Sequence, residues 1–252
     1  MQVSVLDFFM RSVDCGEFAG KRVLEVGSKF VNGSVRPLIE RFCRPREYVG
    51  VDIETGKYVD VVLPAERLVE HFGPESFDVV ISTEVLEHVY DWRCVVNNMK
   101  AVLKPGGFIY ITTRSMGFPY HAYPHDYWRY EIEDMEKIFG DFEIIALEKD
   151  WEAPGVFLKA RKPTSWSPND LSRIELYSMV VGRRTKELIG MDKAPLARKL
   201  GIQLCQSKIG RCWAGSCPRS PRSVEGGICR DGSRTVSGTS YTSVATCTPP
   251  CL

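Results

Sequence analysis

The chain has 252 residues, with 33 Lys and Arg against 32 Asp and Glu and a formal charge of +1. That length holds one full α/β domain and a modest extension, and the balance gives no overall field that would draw the protein to nucleic acid or to an anionic membrane surface. Charge is uneven along the chain. Residues 1–190 carry 24 Lys and Arg against 29 Asp and Glu, and residues 191–252 carry 9 against 3, so the body is mildly acidic and the tail basic.

The opening segment, MQVSVLDFFMRSVDC, lacks a basic start, and Asp7 and Arg11 interrupt its apolar run. It predicts an amphipathic lead-in helix over residues 1–19 rather than a signal peptide or a membrane span. Arg22 to Gly33, RVLEVGSKFVNG, comes next. Val23, Leu24 and Val26 read as a buried strand, Glu25 stands two residues before Gly27, and a small loop closes on Asn32-Gly33. Gly27 lets the chain turn tightly, and Gly33 permits a positive φ or a close approach to a ligand. A dinucleotide fingerprint would need G-x-G-x-x-G, and Lys29 and Phe30 break that spacing. An acid ahead of a looser loop suits a ligand with no phosphate and a cationic amino group.

Val35, Leu38, Ile39 and Phe42 recur at helical spacing, with Ser34 as N-cap and Pro37 in the tolerated first turn. Tyr48 to Ile53 is an apolar strand that delivers Asp52 at its C-terminal end, where an acid can accept both hydroxyls of a ribose; a turn aspartate is the alternative. Ala65 to Phe72 has a helical pattern that Gly73-Pro74 stops. Phe77 to Ser82 is the next buried strand, and TEVLEHV follows at its C-terminal edge. Asp91 caps a helix with Trp92, Val95, Val96, Met99 and Leu103 on one face, Lys104-Pro105-Gly106-Gly107 breaks it, and Phe108 to Thr113 is another strand.

Arg114 to Tyr130, RSMGFPYHAYPHDYWRY, is a long aromatic, prolyl segment, too aromatic for disorder and long enough to be functional, and it is expected to cover a pocket. Trp128 and Tyr130 are packing anchors or substrate stackers, and Arg129 pairs with Asp126, with Glu131 or with an acidic substrate group. A helix through Ile132, Met135, Ile138 and Phe139 follows, then strands near Phe142 to Leu147 and Gly155 to Ala160 whose antiparallel closure completes a seven-stranded sheet. Leu171 to Val181 reads as one more helix, within a helical extension over 163–204.

Cys15, Cys43 and Cys94 read as reduced core thiols, and the body as cytoplasmic. The other six cysteines lie in residues 205–252, where Leu, Ile, Val and Phe make only 6 of 48 residues, too few to bury a core. Residues 205–252 are expected to be a disordered tail. Without paired C-x2-C knuckles or a histidine there, no metal site is expected.

Glu25-Val26-Gly27 after a strand, Asp52 ending the second strand, FDVVISTEVLEHV, and LKPGG before a strand together resemble the class I S-adenosylmethionine-dependent methyltransferases of the type 11 group, over about residues 15–161. The resemblance implies a Rossmann-like, doubly wound, mostly parallel seven-stranded α/β sheet with helices on both faces, centred on residues 20–162, and S-adenosylmethionine as cofactor. Glu25 and the loop with Gly27, Ser28 and Gly33 would hold the methionine end. Asp52 and Ile53 would take the ribose side, and Ser82, Thr83 and Glu84 the floor, with Leu86 to His88 packing behind. Where many relatives carry an acid for the adenine amino group, this chain reads Val62-Leu63-Pro64-Ala65-Glu66, so Glu66 or a backbone group would substitute. The middle glycine of the usual loop is absent.

Methyl transfer is an in-line displacement whose main demand is alignment of the acceptor atom with the methyl group. If the acceptor is a hydroxyl, a base assists, and His121, His125 and Asp126 are the clustered candidates; ordinary loop hydrogen bonding is the competing role. The resulting expectation is transfer to a small-molecule or glycan-like acceptor at oxygen, with no nucleic-acid or membrane partner. A catalytically inactive binding module of the same fold is the alternative, and the failed fingerprint disfavours a nicotinamide oxidoreductase.

Overall fold

The computed structural model describes residues 2–121 and 125–195. A helix α1 (Val3–Ser12) leads into strand β1 (Arg22–Val26). Helix α2 (Arg36–Cys43), β2 (Glu47–Asp52), β3 (Val61–Val62), α3 (Leu68–Phe72), β4 (Phe77–Thr83), α4 (Trp92–Val102) and β5 (Leu103–Arg114) follow. The chain continues through β6 (Trp128–Arg129), α5 (Ile132–Ile138), β7 (Glu143–Lys149), β8 (Gly155–Arg161), β9 (Leu176–Ser178) and β10 (Arg183–Thr185).

Seven strands make one sheet in the order β3-β2-β1-β4-β5-β8-β7. The first four pairings are parallel; β8 runs antiparallel to both β5 and β7. Alternation along β1 shows why the sheet is covered on both faces. Val23 packs with Val5, Phe8 and Phe9 of α1 and Ile39 of α2, whereas Leu24 and Val26 pack with Leu68, Val95, Met99 and Met135 of α3, α4 and α5. The order reverses at β1, between β2 and β4, so the crevice outside the C-terminal ends of these strands is where a ligand is received.

Local signals fix most boundaries. Asp91 Oδ1 accepts from the Cys94 amide as the N-cap of α4; at α2 the N-cap position is Val35, one residue after the expected Ser34, whose Oγ still accepts from the Arg36 amide. Glu131 and Asp134 form a reciprocal capping box on α5.

Two expectations are corrected. Residues 171–181 are not a helix: β9 pairs antiparallel with β10 and with β6, giving a second, three-stranded sheet. The reason lies in the contacts. Leu171 and Leu176 are buried against the core that holds Trp128 and Tyr130, and the buried Ser178 turns its hydroxyl to the Val180 amide, so burial and turn chemistry override a weak helical period. The described part of the extension over 163–204 therefore holds no α-helix, only a single 3-10 turn at Met191–Lys193. The second correction concerns the thiols. Cys15 and Cys43 are joined by a disulfide, because the turn after α1 packs on the last turn of α2 and brings their Cα atoms to 4.5 Å; Cys94 alone among the described cysteines is free. Residues 205–252, with the expected disordered tail, lie outside the described residues. Among the described residues no helix is long and apolar enough to cross a membrane.

Candidate active site

The C-terminal ends of β1, β2 and β4 converge on the loop after β1. Gly27 takes φ +77°, and a Cβ there would lie 2.1 Å from Val85 Cγ2, so the loop and the segment after β4 are in direct contact and only glycine fits between them. The amides of Gly27 and Ser28 both donate to Val51 O, and the Lys29 amide donates to Asp52 Oδ2 at 3.1 Å. Asp52 Oδ1 accepts from the Glu54 amide, so the carboxylate is held by backbone on both oxygens while keeping further lone pairs for a ligand. Ile53 and Val62, beside it at the end of β2 and β3, are 56% and 51% exposed, an apolar pair unusual at a strand end.

Glu25 is buried on β1, and its Oε2 accepts from the Tyr48 hydroxyl at 2.9 Å. Burial pushes its carboxyl up to about 7, against the opposing hydrogen bond from Tyr48. Ser28 and Ser82, at the ends of β1 and β4, are buried, and their hydroxyls have no partner among the described residues. Orphaned buried hydroxyls at a ligand edge are groups that await a polar partner.

Beyond the end of β4 the chain builds a second, charged cluster. Glu84 adopts φ +58°, its amide donates to Thr112 O, and its carboxylate accepts from Thr112 Oγ1 and from the buried Arg114, which also donates to Asp150 at 3.0 Å. Burial, with the charge of Glu87 beside it, holds Glu84 up at about 7. Glu87 is fully buried; Thr113 Oγ1 donates to its Oε2 at 2.9 Å, and its Oε1 has no hydrogen-bond partner among the described residues. That oxygen lies 3.7 Å from His121 Nε2 and 4.0 Å from His88 Nε2. The two imidazoles meet edge to face, 4.7 Å between centroids. On its other side His121 Nδ1 stands 3.2 Å from Asp126 Oδ2, an ionic contact without hydrogen-bond alignment. Burial alone would lower the His121 pKa, but the facing Asp126 and Glu87 carboxylates push it up to about 9. Asp126, despite burial, is drawn down to about 2 by Arg129 and His121. Arg129 donates to both Asp126 oxygens and to the carbonyls of Phe118 and Pro119, which ties these three residues together.

A family model described as a methyltransferase domain matches residues 24–111, the part of the chain that carries β1 to β5. The 1,6-didemethyltoxoflavin-N1-methyltransferase of Burkholderia thailandensis, solved with its substrate and S-adenosylhomocysteine, superposes with a TM-score of 0.50 at 15% identity, over 64% of this chain and 76% of that one. A ubiquinone biosynthesis O-methyltransferase of Vibrio atlanticus is 31% identical over 108 residues, 39% of this chain and 46% of that protein. One from Dechloromonas aromatica is 27% identical over 194 residues, 73% of each chain. The chain thus carries, over residues 24–111, a domain similar to the class I S-adenosylmethionine-dependent methyltransferases. It spans less than half the length of the Vibrio relative and of a further one from Bradyrhizobium, 43% of which is covered.

Within this domain the residues expected at the cofactor do share one edge. Gly27, Ser28 and Gly33 lie in the loop after β1, Asp52 ends β2 with Ile53 next, and Ser82 and Thr83 end β4 with Glu84 next. The features present fit S-adenosylmethionine, the cofactor of the family: a cleared backbone at Gly27, a held carboxylate at Asp52, two unpartnered hydroxyls and an exposed apolar pair. Glu25 is turned to Tyr48, and Glu84 to Thr112 and Arg114.

Of the three expected acid–base candidates, His121 and Asp126 come together. The His125 ring does not join them; it is exposed and lies against Tyr127, while the His125 carbonyl accepts from His88 Nδ1 at 2.7 Å. Trp128 and Tyr130 are buried anchors, donating to Tyr90 O and Leu86 O. Glu87 and His88, expected to pack behind the site, lie at the centre of the cluster. The spacing E-x-x-E-H over residues 84–88 is the signal that could have found them, since a tight turn after a strand end sets such side chains on one edge.

Proposed function

We propose that this protein transfers the methyl group of S-adenosylmethionine to a small-molecule hydroxyl. The cofactor supplies a methyl group on a sulfonium, already a good leaving group, so the protein's task is placement. Glu25, Ser28 and the Gly27 loop bind the methionine end, Asp52 the ribose, and Ile53 with Val62 the base. The observation that carries the acceptor assignment is Glu87 Oε1, buried beside His121 and without a hydrogen-bond partner among the described residues. A hydroxyl entering there donates to that oxygen, and its proton passes to Glu87 as the oxygen–carbon bond forms and the carbon–sulfur bond breaks. His121, held by Asp126, stabilises the charge. Oxygen as acceptor is further supported by the names of the relatives, which are O-methyltransferases. The acidic body supports a small molecule over nucleic acid.

Calorimetry of the full-length protein with S-adenosylmethionine, S-adenosylhomocysteine and NAD, followed by radiolabelled methyl transfer to a panel of phenols, alcohols and amines, tests this. Micromolar binding of both sulfur ligands, with label entering a hydroxyl, is expected. Binding without transfer to any acceptor would favour the inactive module, and NAD binding would overturn the assignment.

A further inference from the structure

We propose that Glu87, His88 and His121 form a site for one divalent transition-metal ion of the zinc class. Glu87 Oε1, a ring nitrogen of His88 and one of His121 all lie within 4.8 Å of one another. A tetrahedral ion with bonds of about 2.1 Å sets its ligand atoms about 3.4 Å apart, so the 3.7 and 4.0 Å separations close by small side-chain rotations.

Three features show that the cluster is built for a cation rather than assembled by chance. Glu87 Oε1 is fully buried, has no hydrogen-bond partner among the described residues, and faces the two imidazoles at 3.7 and 4.0 Å, an arrangement that a cation bound between the three groups would satisfy directly. Its other oxygen is fixed by Thr113, which aims Oε1 at the imidazoles. Each imidazole also has an oxygen behind it, a hydrogen-bonded carbonyl at His88 and an ionic contact at His121. His88 Nδ1 must carry a hydrogen, because it faces the His125 carbonyl at 2.7 Å, and this leaves Nε2 with its lone pair toward Glu87. His121 presents Nδ1 to the Asp126 carboxylate and Nε2 to Glu87, and Asp126 is itself clamped by Arg129. A carboxylate or carbonyl behind each ligating histidine is the usual support of a metal site.

The donor set decides the metal. Two imidazole nitrogens and one carboxylate suit Zn2+, Co2+, Ni2+ or Fe2+, whereas Mg2+ and Ca2+ require oxygen ligands. Three protein ligands leave coordination positions open. An acceptor oxygen would take one of them, the ion then easing loss of the hydroxyl proton in place of its direct transfer to Glu87; that last point alone rests on the methyl-transfer reading, and the metal site does not.

The test uses the tag-free, full-length protein stripped with chelator and titrated with Co2+, followed by absorbance and then by displacement with Zn2+. One tetrahedral or five-coordinate Co2+ per chain is expected, displaced stoichiometrically by Zn2+ and without the thiolate charge-transfer band that the tail cysteines would give. His121→Gln should weaken Co2+ at least tenfold and Glu87→Gln likewise, with unchanged circular dichroism, while His71→Asn on the far side of α3 should bind as the parent does. Absence of a Co2+ spectrum, a thiolate spectrum, or equal affinity in parent and His121→Gln would overturn the site. Calorimetry with S-adenosylhomocysteine on the same samples separates the two proposals: cofactor binding without metal sinks only this one, and metal without cofactor sinks only the methyl-transfer reading.

Discussion

Gly27 and Val85 meet so closely that no side chain can stand between them: a Cβ on Gly27 would lie 2.1 Å from Val85 Cγ2, and Gly27 holds φ +77°. Gly27→Ala therefore carries both a clash and a left-handed backbone. It should lower stability by about 2–4 kcal/mol and weaken S-adenosylmethionine at least tenfold. Adding Val85→Ala should restore part of the stability, because it removes the clash and leaves the φ cost. Urea titration of the single and double variants measures the difference; additive losses would mean that the two residues do not compete for space.

Asp52 is held by the Lys29 and Glu54 amides at the end of β2. Asp52→Ala removes the proposed ribose acceptor and frees the loop, so cofactor affinity should fall on the order of 10- to 100-fold, since a hydrogen bond to a charged group contributes about 1.5–3 kcal/mol. Calorimetry reads the change directly. An unchanged dissociation constant would move the ribose elsewhere.

Glu25 gives a pH dependence of known sign. Its carboxyl is raised in the fold from an ordinary 4.5 to about 7 by burial, so the folded state binds the proton more tightly than the unfolded chain. This contribution is fully present below about pH 4.5 and is lost as pH rises through about 7. Glu25→Gln keeps an acceptor for the Tyr48 hydroxyl without a charge. The variant should gain stability over the parent on the order of 1–3 kcal/mol at pH 8 and none near pH 4. Thermal melts of the cofactor-free proteins across that range provide the comparison.

Arg129 and Asp126 are both fully buried and doubly hydrogen-bonded. Arg129→Met strands the Asp126 charge and releases the carbonyls of Phe118 and Pro119, which should cost about 3–5 kcal/mol. The double change Arg129→Met with Asp126→Leu should recover much of that loss. Chemical denaturation decides, and a loss below about 1 kcal/mol in the single variant would show that the pair is solvated.

Sequence by itself determined the sheet. Buried strands such as Val23-Leu24 and Phe77 to Ile81 are short apolar runs bounded by glycine, proline and caps, and these signals are local, so their order is legible without coordinates. It also placed Gly27, Asp52 and Ser82 at one edge, because in a parallel sheet the strand ends that face a ligand follow from strand direction alone. What depended on distant contacts was not legible. The strand at Leu176 to Ser178 exists because Trp128 and Arg129 offer it a partner about 50 residues earlier in the chain, and Cys15 finds Cys43 only after two elements pack. The charged cluster is of the same kind. Glu87 and His88 share a turn, yet their neighbour His121 arrives from the segment after β5, and only Arg129 holding Asp126 fixes where it stands. Side-chain identity supplied the chemistry; the tertiary structure decided which groups are close enough to share a proton or a metal, because charge interactions depend on separation and burial rather than on distance along the chain.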